Sequence, residues 1–479
     1  MIFMLTKNSL RSGLSRAADI FSRRLFFPLC FVFSDLYKLV LFYLGFAYRE
    51  NPAYSLIYLA GCALFALICG LVFLSVLKRE RPAAVTLALP AVALLFFAIA
   101  FLWGFMRGGP ESGPTYSLCL FILRCLPALF AGVTLALLGG EDSFSGIFES
   151  LGFIALPAAL IYLVCALFDC SIFTDGTYLG LINYMSFAYT LMPVMLCALF
   201  RFYDAAELRL PFPGARPLPH PQLWRGAMIL IFWVDIIASG TRGAYLCSAL
   251  CCIAVFLWRL ASRQRFRSGF VMSAVMAAVI IFNVFIYAPP GMHGVDRIDI
   301  FFSGLQNGDF TTTDTEDPAV SDKIDEVFDN ILHGETGSEL ELEPGFRVSD
   351  RASIYKLAVA EFLRSPISGM GPGAFEAKYG VYPHNIFLEM LCETGVCGTL
   401  PLLALMTLAA VGIFRAARVS RGMAEILLLL GAYFVRGNIS NSIWQSVPLA
   451  AALGSGLALF ALPPRSARRS ARRSGQSSG

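Results

Sequence analysis

The sequence predicts an all-α polytopic membrane protein: about twelve transmembrane helices and one large extracytoplasmic loop that itself contains helices. Three observations lead there. Apolar stretches of the roughly 20 residues needed to cross a bilayer recur along almost the whole chain. Of its 479 residues 57% are apolar and only 15% charged, with a mean hydropathy of +0.68. The stretch from about 289 to 383 departs from this pattern and is long and polar. Lipid offers the backbone no hydrogen bonds, so continuous apolar spans fold as helices, whereas barrel strands would alternate polar and apolar residues.

In order, the spans fall near 26 to 47, 53 to 77, 84 to 106, 115 to 139, 149 to 169, 178 to 200, 225 to 240, 243 to 260, 269 to 288, 396 to 414, 422 to 436 and 443 to 462. Basic residues gather on alternate loops: Arg23 and Arg24, Lys78 to Arg81, Arg259 to Arg267, and Arg415 to Arg421. The positive-inside rule makes those loops cytoplasmic, and the basic tail from Arg465 to Arg473 lands on the same side. Both termini are therefore expected in the cytoplasm and residues 289–383 outside. The division is spans one to nine over 1–288, the outward loop 289–383, a helix and three spans over 384–462, and a basic, disordered tail over 463–479 suited to anionic headgroups. The basic start leads into the first span without a small-residue cleavage site, so that span is expected to serve as the insertion signal.

A net charge of +4 is too small to point to nucleic acid. Most of the thirteen cysteines lie in apolar spans and none in 289–383, so they read as small apolar residues and not as a disulfide framework.

Within the outward loop, residues 289 to 345 are rich in Asp, Glu, Thr and Gly, with an amphipathic helical pattern from Ser321 to Leu332. From Arg351 to Phe362, Ile354, Leu357, Ala358 and Phe362 recur at helical spacing, with Ser349 or Asp350 as cap. A glycine-rich turn then carries Gly369, Gly371 and Gly373. The loop re-enters the apolar region at Tyr382-Pro383-His384-Asn385, and Pro383 reads as a helix start with His384 and Asn385 in the first turn. There the helix dipole disfavours imidazolium, keeping His384 neutral near pH 7 as a general base requires; a capping histidine at the membrane surface is the other reading. Gly395 and Gly398 are placed to let the backbone turn or another helix approach.

Two arginines invite a functional reading beside His384. Arg242, after Ser239-Gly240-Thr241 between two spans, either snorkels or contacts phosphate, with Thr241 adding a hydroxyl. Arg351 presents the same choice, its alternative being a solvated helix face. Other patterns carry less. Ser353-x-x-Lys356 lacks its partner motifs, and Gly369-x-Gly371-x-Gly373 lacks the strand and helix of a dinucleotide loop. His293 and His333 lie far apart, and no EF-hand spacing occurs, so neither a metal nor a cofactor is implied.

Taken together, His384-Asn385-x-x-Leu388 with Glu393-x-Gly395-x-x-Gly398 resembles the signature of the O-antigen ligase and O-antigen polymerase family of bacterial membrane glycosyltransferases. Ser239-x-Thr241-Arg242-Gly243-Ala244 resembles that family's arginine element, and Arg351-x-x-x-Tyr355 with Gly369, Gly371 and Gly373 resembles the helix and turn before its histidine. The departures are the acidic insertion before Arg351, which makes Arg347 and Arg364 competitors for its role, Tyr at 355 where Trp is commoner, and a dissimilar amino-terminal third.

The resemblance implies transfer of a glycan from a polyprenyl diphosphate carrier to a hydroxyl on a lipid, glycan or protein acceptor. The reaction would take place at the outer face of a bacterial inner membrane, without metal and with inversion. His384 would be the base, Arg242, Arg351 and Thr241 the diphosphate contacts, and Asn385 and Glu393 the residues supporting the histidine, unless they serve helix packing. Tyr379 and Tyr382 would stack on sugars or belong to the aromatic belt. Ligase and polymerase would share this machinery. A lipid flippase or other transporter is the reading from another class, and it expects charges lining a path through mid-membrane, where the sequence offers Asp35, Lys38, Arg124 and Asp235.

Overall fold

A computed structural model describes residues 19–46, 52–108, 113–168, 177–178, 182–202, 207–209, 216–239, 241–261, 274–276, 324, 326, 328–330 and 351–462. The protein is all-α and polytopic. Its helices are α1 (Phe26–Tyr43), α2 (Pro52–Glu80), α3 (Ala84–Gly108), α4 (Gly113–Leu120), α5 (Leu126–Leu138), α6 (Phe144–Phe168), α7 (Tyr184–Phe202), α8 (Pro221–Ala238) and α9 (Arg242–Ala261). After the polar insertion come α10 (Arg351–Arg364), α11 (Ala374–Tyr379), α12 (Ile386–Ala417), α13 (Arg421–Gly437) and α14 (Val447–Ala461). One short antiparallel pair, Thr177–Tyr178 with Ile182–Asn183, precedes α7. Among the described residues, seven helices are long and apolar enough to cross a membrane, α4 and α5 counting as one through a π-turn at Phe121–Cys125. The other predicted spans coincide with shorter or more polar helices, except the one near 269 to 288, which lies almost wholly outside the described residues.

Close packing is achieved with small residues. A Cβ on Gly454 or Gly132 would run into the backbone of the facing helix of the α5–α14 pair, and one on Gly412 or Gly456 would do the same between α12 and α14. Such approach is how apolar helices gain van der Waals contact where lipid removes the hydrophobic drive between them.

The two ends of the bundle differ. At one end Asp19 pairs with Arg79 (2.8 Å), Arg259 donates to the Phe200 carbonyl (2.8 Å) and Ser420 donates to Glu141 (3.1 Å), so the basic loops between spans collect together. At the other end lie α10, α11 and the segments around His384 and Ser442. There Ile354, Leu357, Phe375 and Tyr379 form a small core of their own, joined by the helical Ile324 and Phe328 of the Ser321–Leu332 stretch. The predicted caps Ser349 and Asp350 lie outside the described residues, as does Arg347.

Candidate functional site

The site is built around a break in α12. Gly395 takes φ 60° and ψ −168°, dividing the helix into a short segment after His384 and a membrane-crossing one. A broken helix leaves unpaired carbonyls and amides, and the glycine-rich turn supplies their partners. Met370 N–H donates to Cys392 O (2.9 Å) and Gly371 N–H to Glu393 O (2.8 Å). In return Val396 N–H donates to Pro366 O (2.8 Å) and Cys397 N–H to Ile367 O (3.0 Å). The two strands of backbone lie so close that a Cβ on Gly369 would overlap the Glu393 carbonyl, and one on Gly395 the Ile367 carbonyl. Both glycines also have positive φ, so only glycine fits. Gly371 and Gly373 meet Gly104 of α3 and Gly113 of α4 in the same way. Gly398 differs from expectation, since its near neighbour is the Thr394 side chain of its own helix and not another helix.

Two buried carboxylates one turn apart pin the surrounding loops. Glu393 accepts the amides of Gly373 (2.9 Å) and Phe375 (3.1 Å) and the Trp444 indole N–H. Glu389 accepts the Ser442 hydroxyl (2.5 Å) and the Ile443 amide (2.7 Å). Through these bonds Glu393 holds the glycine turn and the Trp444 segment against α12. From α3, Trp103 Nε1 donates to Ser368 O (3.0 Å) and Arg107 to Gly369 O (3.0 Å), closing the turn from the third side.

His384 does not lie in the first turn of α12. The helix starts at Ile386, and Asn385 is its cap, accepting the amides of Phe387 (2.9 Å) and Leu388 (3.2 Å). His384 stands one residue before, with φ 57°, a left-handed conformation rare for a side-chain-bearing residue and frequent at functional positions. Its Nδ1 is buried without a partner, and its ring lies 4.3 Å from that of Tyr382. Burial, with Arg351 adding its charge, lowers the imidazole pKa to about 4. The histidine is neutral at pH 7 as expected, but desolvation and a neighbouring cation are the causes in place of the helix dipole.

Arg351, at the start of α10, is within electrostatic range of both His384 and Tyr189. Its competitor Arg364 is engaged elsewhere, 2.6 Å from Glu361, which also takes Lys378 (3.0 Å) and the Tyr379 hydroxyl (2.5 Å). Burial opposes the Glu361 charge, but Tyr379 and the two cations outweigh it and hold its carboxyl below the usual range. Tyr379 is therefore a buried strut, packed on Phe375, and no platform for sugars. Thr241 is buried, with its amide donating to Ser239 Oγ (3.2 Å) and its hydroxyl 3.0 Å from the same oxygen. The backbone places Arg242 at the first residue of α9, next to Gly243, whose missing side chain makes room for the Tyr189 hydroxyl.

Below Tyr382 a cavity of about 220 Å³ opens into the bundle between α1, α7, α13 and the end of α4. Lys38, Arg124 and Arg436 line it, with Asp35 as the acidic wall residue. Arg436 stacks on the Tyr189 ring at 3.5 Å. Sequence reasoning singled out Lys38 and Arg124 as charges within spans but had no means to join them to Arg436. It also passed over Glu389 and Trp444, although two glutamates four residues apart in a helix facing the core was a usable signal. Among the described residues no group of three or more His, Cys, Asp or Glu is placed to hold a metal.

The comparisons with known proteins bear on this end of the molecule. No curated protein matches the chain. A family model described as O-antigen ligase matches residues 227–403, a stretch that contains Thr241, Arg242, Arg351, the glycine turn, His384 and the break at Gly395. Over that stretch, somewhat more than a third of the chain, the protein is similar to the O-antigen ligase family.

Proposed function

We propose that the protein moves a glycan from a polyprenyl diphosphate carrier to an acceptor hydroxyl at the outer face of the cytoplasmic membrane. The observation that carries this reading is a half-buried, neutral histidine with a buried, unpartnered Nδ1, within electrostatic range of Arg351 and packed on Tyr382, which lines a cation-rich cavity, in the stretch matching the family. The outward placement of this end rests on the positive-inside rule, since the basic loops gather at the opposite end.

In the reaction the acceptor oxygen attacks the anomeric carbon as the bond to the diphosphate oxygen breaks. His384 takes the hydroxyl proton, and the polyprenyl diphosphate leaves with the bonding electrons. Arg242 and Arg351 stabilise that developing charge, which is the part a divalent cation plays in other phosphate chemistry. Attack opposite the leaving group inverts the anomeric centre. A base with a pKa of about 4 is weak for this task, and an anion bound beside it corrects that by offsetting the Arg351 charge and raising the histidine's basicity.

A ligase and a polymerase differ only in acceptor here, and we assign the ligase reaction because the histidine motif is complete. The transporter reading expects polar groups along a path through mid-membrane. Asp35, Lys38 and Arg124 instead gather with Arg436 in one cavity and Glu149 pairs with Arg225 and Arg201 at the far end, with Asp235 buried in α8 and in neither set, and this grouping supports transfer. The test is turnover of a synthetic polyprenyl diphosphate glycan by the purified protein with EDTA present, comparing wild type with His384→Ala and Arg242→Ala of equal melting temperature. Carrier diphosphate released by wild type alone supports the reading. Equal turnover by the variants removes the site assignment, and an inactive wild type with several acceptors moves the case to lipid translocation.

A further inference from the structure

The cavity below Tyr382 holds more positive charge than its own walls can neutralise. Lys38, Arg124 and Arg436 face it, and their acidic neighbour is Asp35, 3.7 Å from Lys38. The Nε atoms of Arg124 and Arg436 are buried with no hydrogen-bond partner in the protein. Burying a charge without a counter-charge is costly, more so within a bilayer, so a surplus of this kind marks a place for an anionic group. The chemistry narrows the anion. Guanidinium forks match phosphate oxygens, Tyr189 fixes one of them by stacking on Arg436, and Lys38 adds a point charge. At about 220 Å³ the space is smaller than the roughly 300 Å³ at which pockets for drug-sized ligands begin, so it suits a small anion and not a glycan. None of the three cations lies within residues 227–403, so the family match does not assign them.

We propose that this cavity binds the phosphate or diphosphate group of a membrane lipid, held by Arg124 and Arg436, with Lys38 exchanging Asp35 for the ligand. That the lipid is the glycan carrier rests on the transferase reading; the anion site itself does not. Bound there, the group lies beside Tyr382, whose ring stands 4.3 Å from that of His384, with the glycan directed to the histidine side.

The test uses the full chain in phosphatidylcholine nanodiscs, titrated with farnesyl diphosphate, with inorganic pyrophosphate and phosphatidylglycerol as competitors. Wild type is expected to bind farnesyl diphosphate, and the Arg124→Gln/Arg436→Gln double variant to bind at least tenfold more weakly. Competition by pyrophosphate supports a site that reads the anion alone, and competition by phosphatidylglycerol supports one filled by bulk lipid headgroups. Unchanged affinity in a double variant that melts like wild type overturns the proposal. If the double variant does not fold, Lys38→Met decides, and its binding like wild type overturns the proposal equally. Binding lost only in Arg242→Gln or Arg351→Gln moves the anion out of this cavity and leaves the transferase reading standing. Binding through the cavity with no glycan transfer under any condition keeps the anion site and removes that reading.

Discussion

The two ends of the bundle bury comparable charges and treat them in opposite ways. At the end with the basic loops Glu149 is clamped by Arg225, with Arg201 at 3.2 Å, Arg225 also reaches the Glu207 carbonyl at 3.3 Å, and Ser145 and Arg421 both address Glu425. Those ions have counter-ions within the protein, although Arg201 Nε, 3.2 Å from Glu149, makes no hydrogen bond. At the other end Lys38, Arg124 and Arg436 face Asp35, and the guanidinium Nε atoms have nothing to donate to. A matched buried set ties helices together, whereas an unmatched one is a stabilising opportunity left for something that binds.

The widest separation between the ends comes from removing the histidine. His384→Ala is expected to lower glycan turnover by roughly 10²- to 10⁴-fold with no change in melting temperature, read by carrier release and by thermal unfolding of the same sample. An equal loss on removing Glu149 would erase the distinction. Glu149→Gln should instead leave Arg225 and Arg201 facing a neutral amide and cost about 3–5 kcal/mol of stability, seen as a lower melting temperature with turnover per folded molecule unchanged. Arg436→Gln should do the reverse, leaving the melting temperature unchanged or raised because an uncompensated cation has gone.

Acidity sharpens the comparison further. With the His384 pKa near 4 in the folded protein and about 6.5 in the unfolded chain, the unfolded chain takes up the proton first as pH falls. The histidine's share of stability is therefore complete above pH 6.5 and is lost on the way down to about 4, which unfolding curves across that range would show. For turnover, kcat/KM reports the free enzyme and should stay level from neutral pH down to about 5, then fall with an inflection near 4. The inflection in kcat should lie higher, because the bound anion then opposes Arg351. The smallest effect expected is that of Asn385→Ala, about 1 kcal/mol through loss of the α12 cap, with turnover falling only as far as His384 is displaced.

What the sequence made legible was whatever repeats locally. Apolar runs placed the helices, and basic loops sorted them by end. The order of Arg242, Arg351, the glycine turn and His384 pointed to the family before any contact was known. The break at Gly395 was half visible, since a glycine in an apolar helix signals turn or approach without saying which. What stayed hidden depends on pairs far apart in the chain. Nothing near Glu393 says that its donors are Gly373, Phe375 and Trp444, and nothing near Lys38 announces Arg124 or Arg436. His384 was placed one residue too far into its helix because Pro383 is a plausible first-turn residue, while the capping side chain is that of Asn385.

The latch between the glycine turn and the broken helix also bears on how the chain is made. Residues 365–371 leave the ribosome before residues 392–397, to which their backbone is bonded, and Trp103 and Arg107 wait for them still longer. Glu389 in turn waits for its donors Ser442 and Ile443, and Glu393, already within reach of the Gly373 and Phe375 amides, waits for Trp444. A nascent chain therefore carries His384 well before the surroundings that position it, and the candidate site is complete only once residues 442–444 have followed.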